Sequence, residues 1–170
     1  MYVGAIEERK NIINLIHAYK KNSPKERLVL VGNGKIYLNQ VKQEIEKLSL
    51  EKRVDLLDSV LYEDLPSLYQ SAKLFCFPSL FEGFGIPIIE ALFSKVPVIT
   101  SKGSCFPESG GPDSIYVDPL DINSLAEGMD KVLTDHSLAE KMKENGFQFV
   151  QKFHCKNTSS EMIKIYQGDI

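Results

Sequence analysis

The sequence has little cysteine, no excess of positive charge and no long apolar run, and each shortage removes a class of function. Its three cysteines, Cys76, Cys105 and Cys155, are odd in number and form no CxxC pair, which argues against both a disulfide framework and a zinc site. They read as reduced thiols. Lysine and arginine number 20 against 23 aspartates and glutamates, a formal charge of -3, so the basic footprint of a nucleic-acid binder is missing. No stretch approaches the roughly 18 to 20 apolar residues that span a bilayer. The opening MYVGAIEERK also lacks the basic and apolar blocks of a signal peptide. A soluble, cytoplasmic chain is expected. His17, His136 and His154 stand without a partnered Cys, Ser or carboxylate motif, which leaves a catalytic triad or metal centre without support. Ser79 lacks the GxSxG setting of a hydrolase nucleophile.

What is present is a core and a rhythm. The 170 residues are 43% hydrophobic and 25% charged, enough for one sizeable core and too few for two ordinary domains. Short apolar runs at 2–6, 27–31, 54–57, 74–77, 96–100 and 114–117 alternate with amphipathic stretches at 10–21, 37–48, 64–72 and 87–94. That alternation predicts βαβ units and an α/β fold, a Rossmann-like doubly wound parallel sheet of about six strands. Asp64 is the candidate cap of its helix. Beyond Asp118-Pro119 the pattern becomes helical only, over 123–133, 138–150 and 158–167, with polar breaks at 134–136 and 154–157. The first strand starts almost at Met1, although such a strand is expected in the middle of a six-stranded sheet; the expectation is a domain cut from something longer.

In a doubly wound sheet ligands lie beyond the carboxyl ends of the strands, so the chemistry is sought in the strand-to-helix loops. The densest candidate is PSLFEGFGIPIIE, residues 78–90. Gly83 and Gly85 permit a tight turn and close backbone approach, and Pro87 suits a first helical turn. The amides and helix dipole would then face an anion. Glu82 and Glu90 bring two carboxylates to the same mouth, good acceptors for sugar or ribose hydroxyls. A Gly-rich turn with Glu82 in solvent and Glu90 meeting the local helix dipole is the commoner origin of such spacing, and the spacing alone favours it. Glu7-Glu8-Arg9-Lys10-Asn11 occupies the matching position after the first strand; Arg9 and Lys10 could neutralise a diphosphate, or simply form a solvated helix start. Gly32-Asn33-Gly34 reads as an ordinary turn. Phe75, Phe77, Phe81 and Phe84 read as packing residues, with a stacking role also open to Phe84.

The stretch FPSLFEGFGIPIIEALFSKVPVITS, with glutamates separated by seven residues, closely resembles the donor-binding segment of the family 4 retaining glycosyltransferases. VGAIEERKNIINLIHAY, LVLVGNG, LYEDLPSLYQSAKLFCFPS and PESGGPDSIYVDPLD resemble its other segments in order, so the likeness covers nearly the whole chain. It implies one half of a GT-B fold, the C-terminal domain that binds the nucleotide sugar, with an N-terminal acceptor domain absent. On this resemblance Glu82 contacts donor hydroxyls, the amides of Gly83, Phe84, Gly85 and Ile86 contact sugar and phosphate, and Glu90 holds the ribose. Arg9 and Lys10 hold the diphosphate. Gly4 is followed by Ala5 where the family often has Arg, and Arg9 is the substitute the sequence offers. Val60 and Leu61 match a place where the base is contacted. The implied donor is a UDP-, GDP- or ADP-sugar, with no metal demanded. The implied acceptor is a glycan or lipid-linked glycan of the cell envelope, reached at the inner membrane face through the absent domain. A non-catalytic nucleotide-sugar-binding or interaction module is the alternative; an epimerase has no sequence feature in its favour.

Overall fold

Six short apolar or β-branched runs form the strands, as buried parallel strands require. The computed structural model describes residues 1–168. β1 (Tyr2–Val3), β2 (Leu28–Val31) and β3 (Val54–Leu57) make one parallel sheet in the order β1-β2-β3. β4 (Phe75–Phe77), β5 (Val98–Ser101) and β6 (Ile115–Val117) make a second, in the order β4-β5-β6. Leu30 lies opposite Leu56 in the first sheet and Ile99 opposite Ile115 in the second. The expected single sheet is thus two sheets of three strands. They adjoin where the Cys76 amide donates to the Met1 carbonyl at 2.9 Å and the Met1 amino group to the Leu74 carbonyl at 2.7 Å. That bonding gives the spatial order β3-β2-β1-β4-β5-β6, the doubly wound arrangement.

β1 is shorter than the expected 2–6 because Gly4 turns the backbone to φ 148°. Pairing resumes only as an isolated bridge between Ile6 and Gly34. The next turn, a 3-10 turn over Glu8–Lys10, is closed by Asn11 at φ 59°, so α1 begins at Ile12 and not at Lys10. This correction matters for the site: Arg9 and Lys10 lie on a turn at the strand ends instead of along a helix. α1 (Ile12–Asn22) buries Ile12, Leu15, Ile16 and Tyr19 and packs on α6 (Ile122–Thr134). α2 (Ile36–Lys47) buries Val41 and Ile45, and α3 (Leu65–Ser71) buries Tyr69. Asp64 makes no side-chain cap bond to α3.

α4 (Ile86–Phe93) is apolar on most of its surface because it is covered on two sides, by α5 (Phe106–Gly110) and α7 (His136–Val150). α5, five residues opening on Phe106-Pro107, is too short to show a period and has no counterpart in the sequence reading. Asp135 ends α6 and caps α7 through the Leu138 amide at 2.9 Å, as polar punctuation should. The later break is narrower than expected. A 3-10 turn over Gln151–Phe153 and then His154 separate α7 from α8 (Cys155–Gln167), which starts three residues early, its Lys156 amide bonded to His154 Nδ1. α8 buries no residue and leaves Met162, Ile163, Ile165 and Tyr166 exposed.

The core runs through both sheets. Tyr2 stacks on Phe77 at 5.9 Å and Phe77 on Phe75 at 5.9 Å, so the aromatic side chains bridge the β1–β4 seam. A second close approach fixes the loops above it. Gly32 has φ 145°, and a Cβ there would come within 1.9 Å of the Gly4 carbonyl oxygen. Gly32→Ala should therefore cost at least about 2 kcal/mol, a melting-temperature loss of roughly 4 to 8 °C in a domain of this size. Differential scanning calorimetry checks this; an unchanged melting temperature contradicts the packing.

Candidate functional site

The ends of β1 and β4 are adjacent, so the loops that follow them meet. The Leu80 amide donates to the Arg9 carbonyl at 2.8 Å, tying loop to loop through the backbone. Side chains complete the junction. Glu82 Oε1 accepts from Lys10 Nζ at 2.5 Å and from Arg9 Nη1 at 3.0 Å, and Arg9 also reaches the Phe81 carbonyl at 3.2 Å. Glu7 takes the other side of the Arg9 guanidinium at 3.1 Å. The Lys10 side chain is only 8% exposed and that of Glu82 10%, whereas Arg9 is 45% exposed. Lys10 also lies 4.9 Å from the centre of the Phe77 ring. Glu82 is thus not in solvent. It is the counter-ion of two cations more than seventy positions away in sequence.

Burial alone would raise the Glu82 carboxyl, but the hydrogen bond and charge of Lys10 outweigh it. With Ser79 and Arg9 adding to the effect, the carboxyl is held below its ordinary range. Ser79 is fully buried, and its hydroxyl has no well-formed hydrogen bond of its own among the described residues. The backbone of the loop is fixed from below: Thr100 Oγ1 donates to the Phe77 carbonyl at 2.9 Å and Ser101 Oγ to the Ser79 carbonyl at 2.6 Å. From the side, Cys105 Sγ lies 3.3 Å from the Glu82 carbonyl oxygen.

The two glycines differ. Gly85 is the residue before α4, has φ 95°, and a Cβ on it would stand 3.1 Å from both Ile88 Cδ1 and Ser109 Oγ. Gly83 has ordinary φ and open space where a Cβ would be, so neither strain nor packing demands glycine there. Among the described residues nothing accepts a hydrogen bond from the amides of Gly83, Phe84, Gly85 and Ile86, leaving donors at the positive end of α4. The Phe84 ring does not face this opening; it packs edge-on against Phe153 at 5.5 Å. Phe81, expected to pack, is 66% exposed.

Glu90 stands one turn into α4 and faces α3. Its Oε2 accepts from the Tyr69 hydroxyl at 2.9 Å. Burial, with the neighbouring Glu90 charge, pushes the Tyr69 phenol far up, so it stays a donor. Glu90, Tyr69, Tyr62, Leu65, Pro66 and Phe93 line a groove of about 330 Å³ between α3 and α4. Val60 packs partly against the core and Leu61 is 65% exposed; neither lines that groove, but the next residue, Tyr62, does. Gly4 lies at the end of β1, where its φ and the Tyr2 hydroxyl, 2.9 Å from a Cβ built there, both demand glycine. Tyr69, Ser79 and Asn11 are absent from the sequence-based candidates. Tyr69 and Ser79 give no local signal; Asn11 is visible only as the neighbour of Lys10. Among the described residues no group of three His, Cys, Asp or Glu side chains converges as a metal site requires. A separate cavity of about 250 Å³, between Met1, Tyr19, Leu74 and Met129, opens at the opposite strand ends and contains none of these residues.

With this geometry in place, the comparisons are decisive. The profile described as "Glycosyl transferases group 1" matches residues 1–149. The chain belongs to that family. The O-antigen chain mannosyltransferase B of Escherichia coli is 33% identical over 98% of this chain and 45% of its own length. The sucrose-phosphate synthase of Thermosynechococcus elongatus superposes with a TM-score of 0.88 at 28% identity, over 98% of this chain and 44% of that one. Anabaena HepE, solved in complex with UDP-glucose, gives 0.88 at 23% identity, over 99% and 48%, a likeness of fold. The chain thus spans about half the length of these relatives. No described helix is long and apolar enough to cross a membrane.

The ion-pair cluster carries a signed pH dependence. Because the folded Glu82 carboxyl is held low, its contribution to stability is fully present above pH 4.5, the ordinary value for glutamate, and is lost as pH falls through the lowered folded value. Glu82→Gln should lower stability at neutral pH by about 1–3 kcal/mol, roughly 3 to 10 °C. That gap should close as the pH is taken below 4.5. Thermal melts across an acid series check it, and a gap independent of pH contradicts it.

Proposed function

We propose that this chain is the donor-binding domain of a retaining glycosyltransferase that moves a hexose from a nucleoside-diphosphate sugar to a glycan or lipid-linked acceptor of the cell envelope. The observation that carries the reading is the meeting of Arg9, Lys10 and Glu82 beside the unbonded amides that open α4. In this reading the acceptor site lies in a further, N-terminal domain, in keeping with relatives about twice as long as this chain. Catalysis then takes place at the inner face of the membrane.

Each role follows from charge and position. Arg9 and Lys10 neutralise the diphosphate, Arg9 by its planar fork and Lys10 as a point charge. The amides from Gly83 to Ile86 add preorganised donors from the helix end. The open space beside Gly83 admits a phosphate or sugar to the backbone. Without ligand, Glu82 satisfies the two cations; when a diphosphate takes them over, Glu82 is released to accept hydrogen bonds from donor hydroxyls. Glu90, with one oxygen held by Tyr69, presents the other to the ribose diol. Val60 and Leu61 place the base beside Tyr62. The chemical step separates the bond between the anomeric carbon and the leaving diphosphate oxygen. The acceptor oxygen bonds the same carbon on the same face, so configuration is retained, and the acceptor hydroxyl proton passes to the departing diphosphate oxygen. Charge growing on the leaving diphosphate is stabilised by Lys10, Arg9 and the α4 amides, already in place before the reaction.

Mannosyl transfer by the E. coli relative and UDP-glucose in HepE support a hexose donor; the mannosyltransferase's name gives no base, and HepE's likeness is one of fold. Isothermal titration with UDP, GDP and ADP and their sugars should show binding to one of them at about 1 mM or tighter. Arg9→Ala with Lys10→Ala, and separately Glu90→Ala, should abolish it. A folded wild type that ignores every nucleotide overturns the proposal. Gly83→Ala should bind nucleotide sugar at least about fivefold more weakly while melting within about 2 °C of the wild type, since its cost falls on ligand approach and not on the fold.

A further inference from the structure

We propose that Asn11 is a positioning residue: its side-chain amide sets where Lys10 stands against the glutamate loop, and so sets the affinity for a nucleoside diphosphate. The inference rests on the donor-site reading above and adds to it the residue that holds the site together.

Asn11 is 8% exposed and sits at φ 59°, ψ 34° between the 3-10 turn that carries the two cations and the start of α1. Asparagine is among the few side-chain-bearing residues that adopt this left-handed conformation readily. Its Nδ2 donates to the Pro78 carbonyl at 3.1 Å and to the Pro119 carbonyl at 2.6 Å. These acceptors lie in the loops after β4 and after β6, so one amide group ties three strand ends together. Both partners are carbonyls and can only accept, so the two N–H donors of an amide are required and a carboxylate would be repelled. The Leu80 amide bonds the Arg9 carbonyl two residues away. Residues 9–11 and 78–82 are therefore clamped by one backbone bond, one side-chain amide, the Lys10–Glu82 pair and the Arg9 bonds to Glu82 and the Phe81 carbonyl. Of these, the Leu80–Arg9 backbone bond and the Asn11 amide survive when a diphosphate draws the cations away from Glu82, and of the two only the amide also holds the loop after β6. Lys10, one residue from the clamp, then stays at the mouth instead of following Glu82. Asn14 Nδ2 also reaches the Pro119 carbonyl, at 3.2 Å, but touches nothing in the glutamate loop; it provides the control.

The test titrates UDP, GDP and ADP into the whole chain and its variants and follows folding by circular dichroism. Asn11→Gly keeps the backbone conformation without strain and removes the amide; the affinity for whichever diphosphate the wild type binds should fall about tenfold. Asn11→Ser retains one donor and should lose about threefold, which keeps the result readable if Asn11→Gly does not fold. Asn14→Ala should stay within about twofold of the wild type. In a Lys10→Ala background, Asn11→Gly should have almost no further effect, because it acts through Lys10. Wild-type affinity in a folded Asn11 variant overturns the proposal. So does an equal loss in Asn14→Ala, or a loss that simply adds to that of Lys10→Ala, since either marks general loosening. A wild type that binds none of the three nucleotides overturns the donor-site reading itself, so the two failures are told apart by the wild-type titration.

Discussion

The contact on which the site depends is the pair between Lys10 and Glu82, two charges shielded from water at the seam of two sheets. A buried lysine is costly unless its charge is met, and the same holds for a buried carboxylate. Each therefore fixes the other, and the loops that carry them are fixed as well. The arrangement is possible because β1 and β4 are spatial neighbours although residues 4–74 lie between them in the chain, and because Gly4 ends β1 early enough for the following turn to fold back over β4. Arg9, half-exposed, extends this buried pair to the surface. The result is a mouth that holds two cations whose counter-ions, Glu82 and Glu7, are supplied by the protein until another anion replaces them.

The rest of the architecture holds that mouth open and shaped. Thr100 and Ser101, on β5, hold the carbonyls at the end of β4, so the glutamate loop leaves its strand from a fixed point. α5 and α7 cover α4 and leave its N-terminal amides facing outward. The Phe84–Phe153 contact anchors the same loop to the segment after α7, so a side chain that might have stacked on a ligand instead braces the backbone. Glu90 is held by Tyr69 across the α3–α4 groove, which Glu82 does not line. Two carboxylates close in sequence thus have different partners and different tasks available to them: one balances cations, the other accepts from a neutral hydroxyl.

Much of this was readable in the sequence, and the gaps have physical causes. Buried parallel strands such as RLVLV and LFCF are apolar throughout and bounded by polar turns, so their alternation with amphipathic stretches gave the fold class. The strand ends bring Arg9, Lys10 and Glu82 together, as the loop order suggested. The start of α1 is not legible in the sequence because Glu8, Arg9 and Lys10 are good helix formers, and the left-handed Asn11 that separates them from the helix is set by carbonyls 67 and 108 positions away. α5 is shorter than any period. The polar run after His154 reads as a break, yet the chain turns before it, in the 3-10 turn over Gln151–Phe153 and at His154, and the run itself is helical. Tyr69 went unnoticed because its relation to Glu90 is created by the packing of α3 on α4, which no local pattern records. The Gly83 and Gly85 pair looked equivalent, and only the coordinates separate the glycine needed for backbone shape from the one with open space before it.

The most direct measurement is a map of backbone amide shifts by two-dimensional nuclear magnetic resonance as a nucleoside diphosphate is added. The account predicts that the amides of Arg9 to Asn11 and of Gly83 to Ile86 shift together along one binding curve, with Glu90 and Tyr69 following when the ribose is present. Shifts gathered instead around Met1, Leu74 and Met129 at the opposite strand ends, or movement of only one of the two loops, would contradict it.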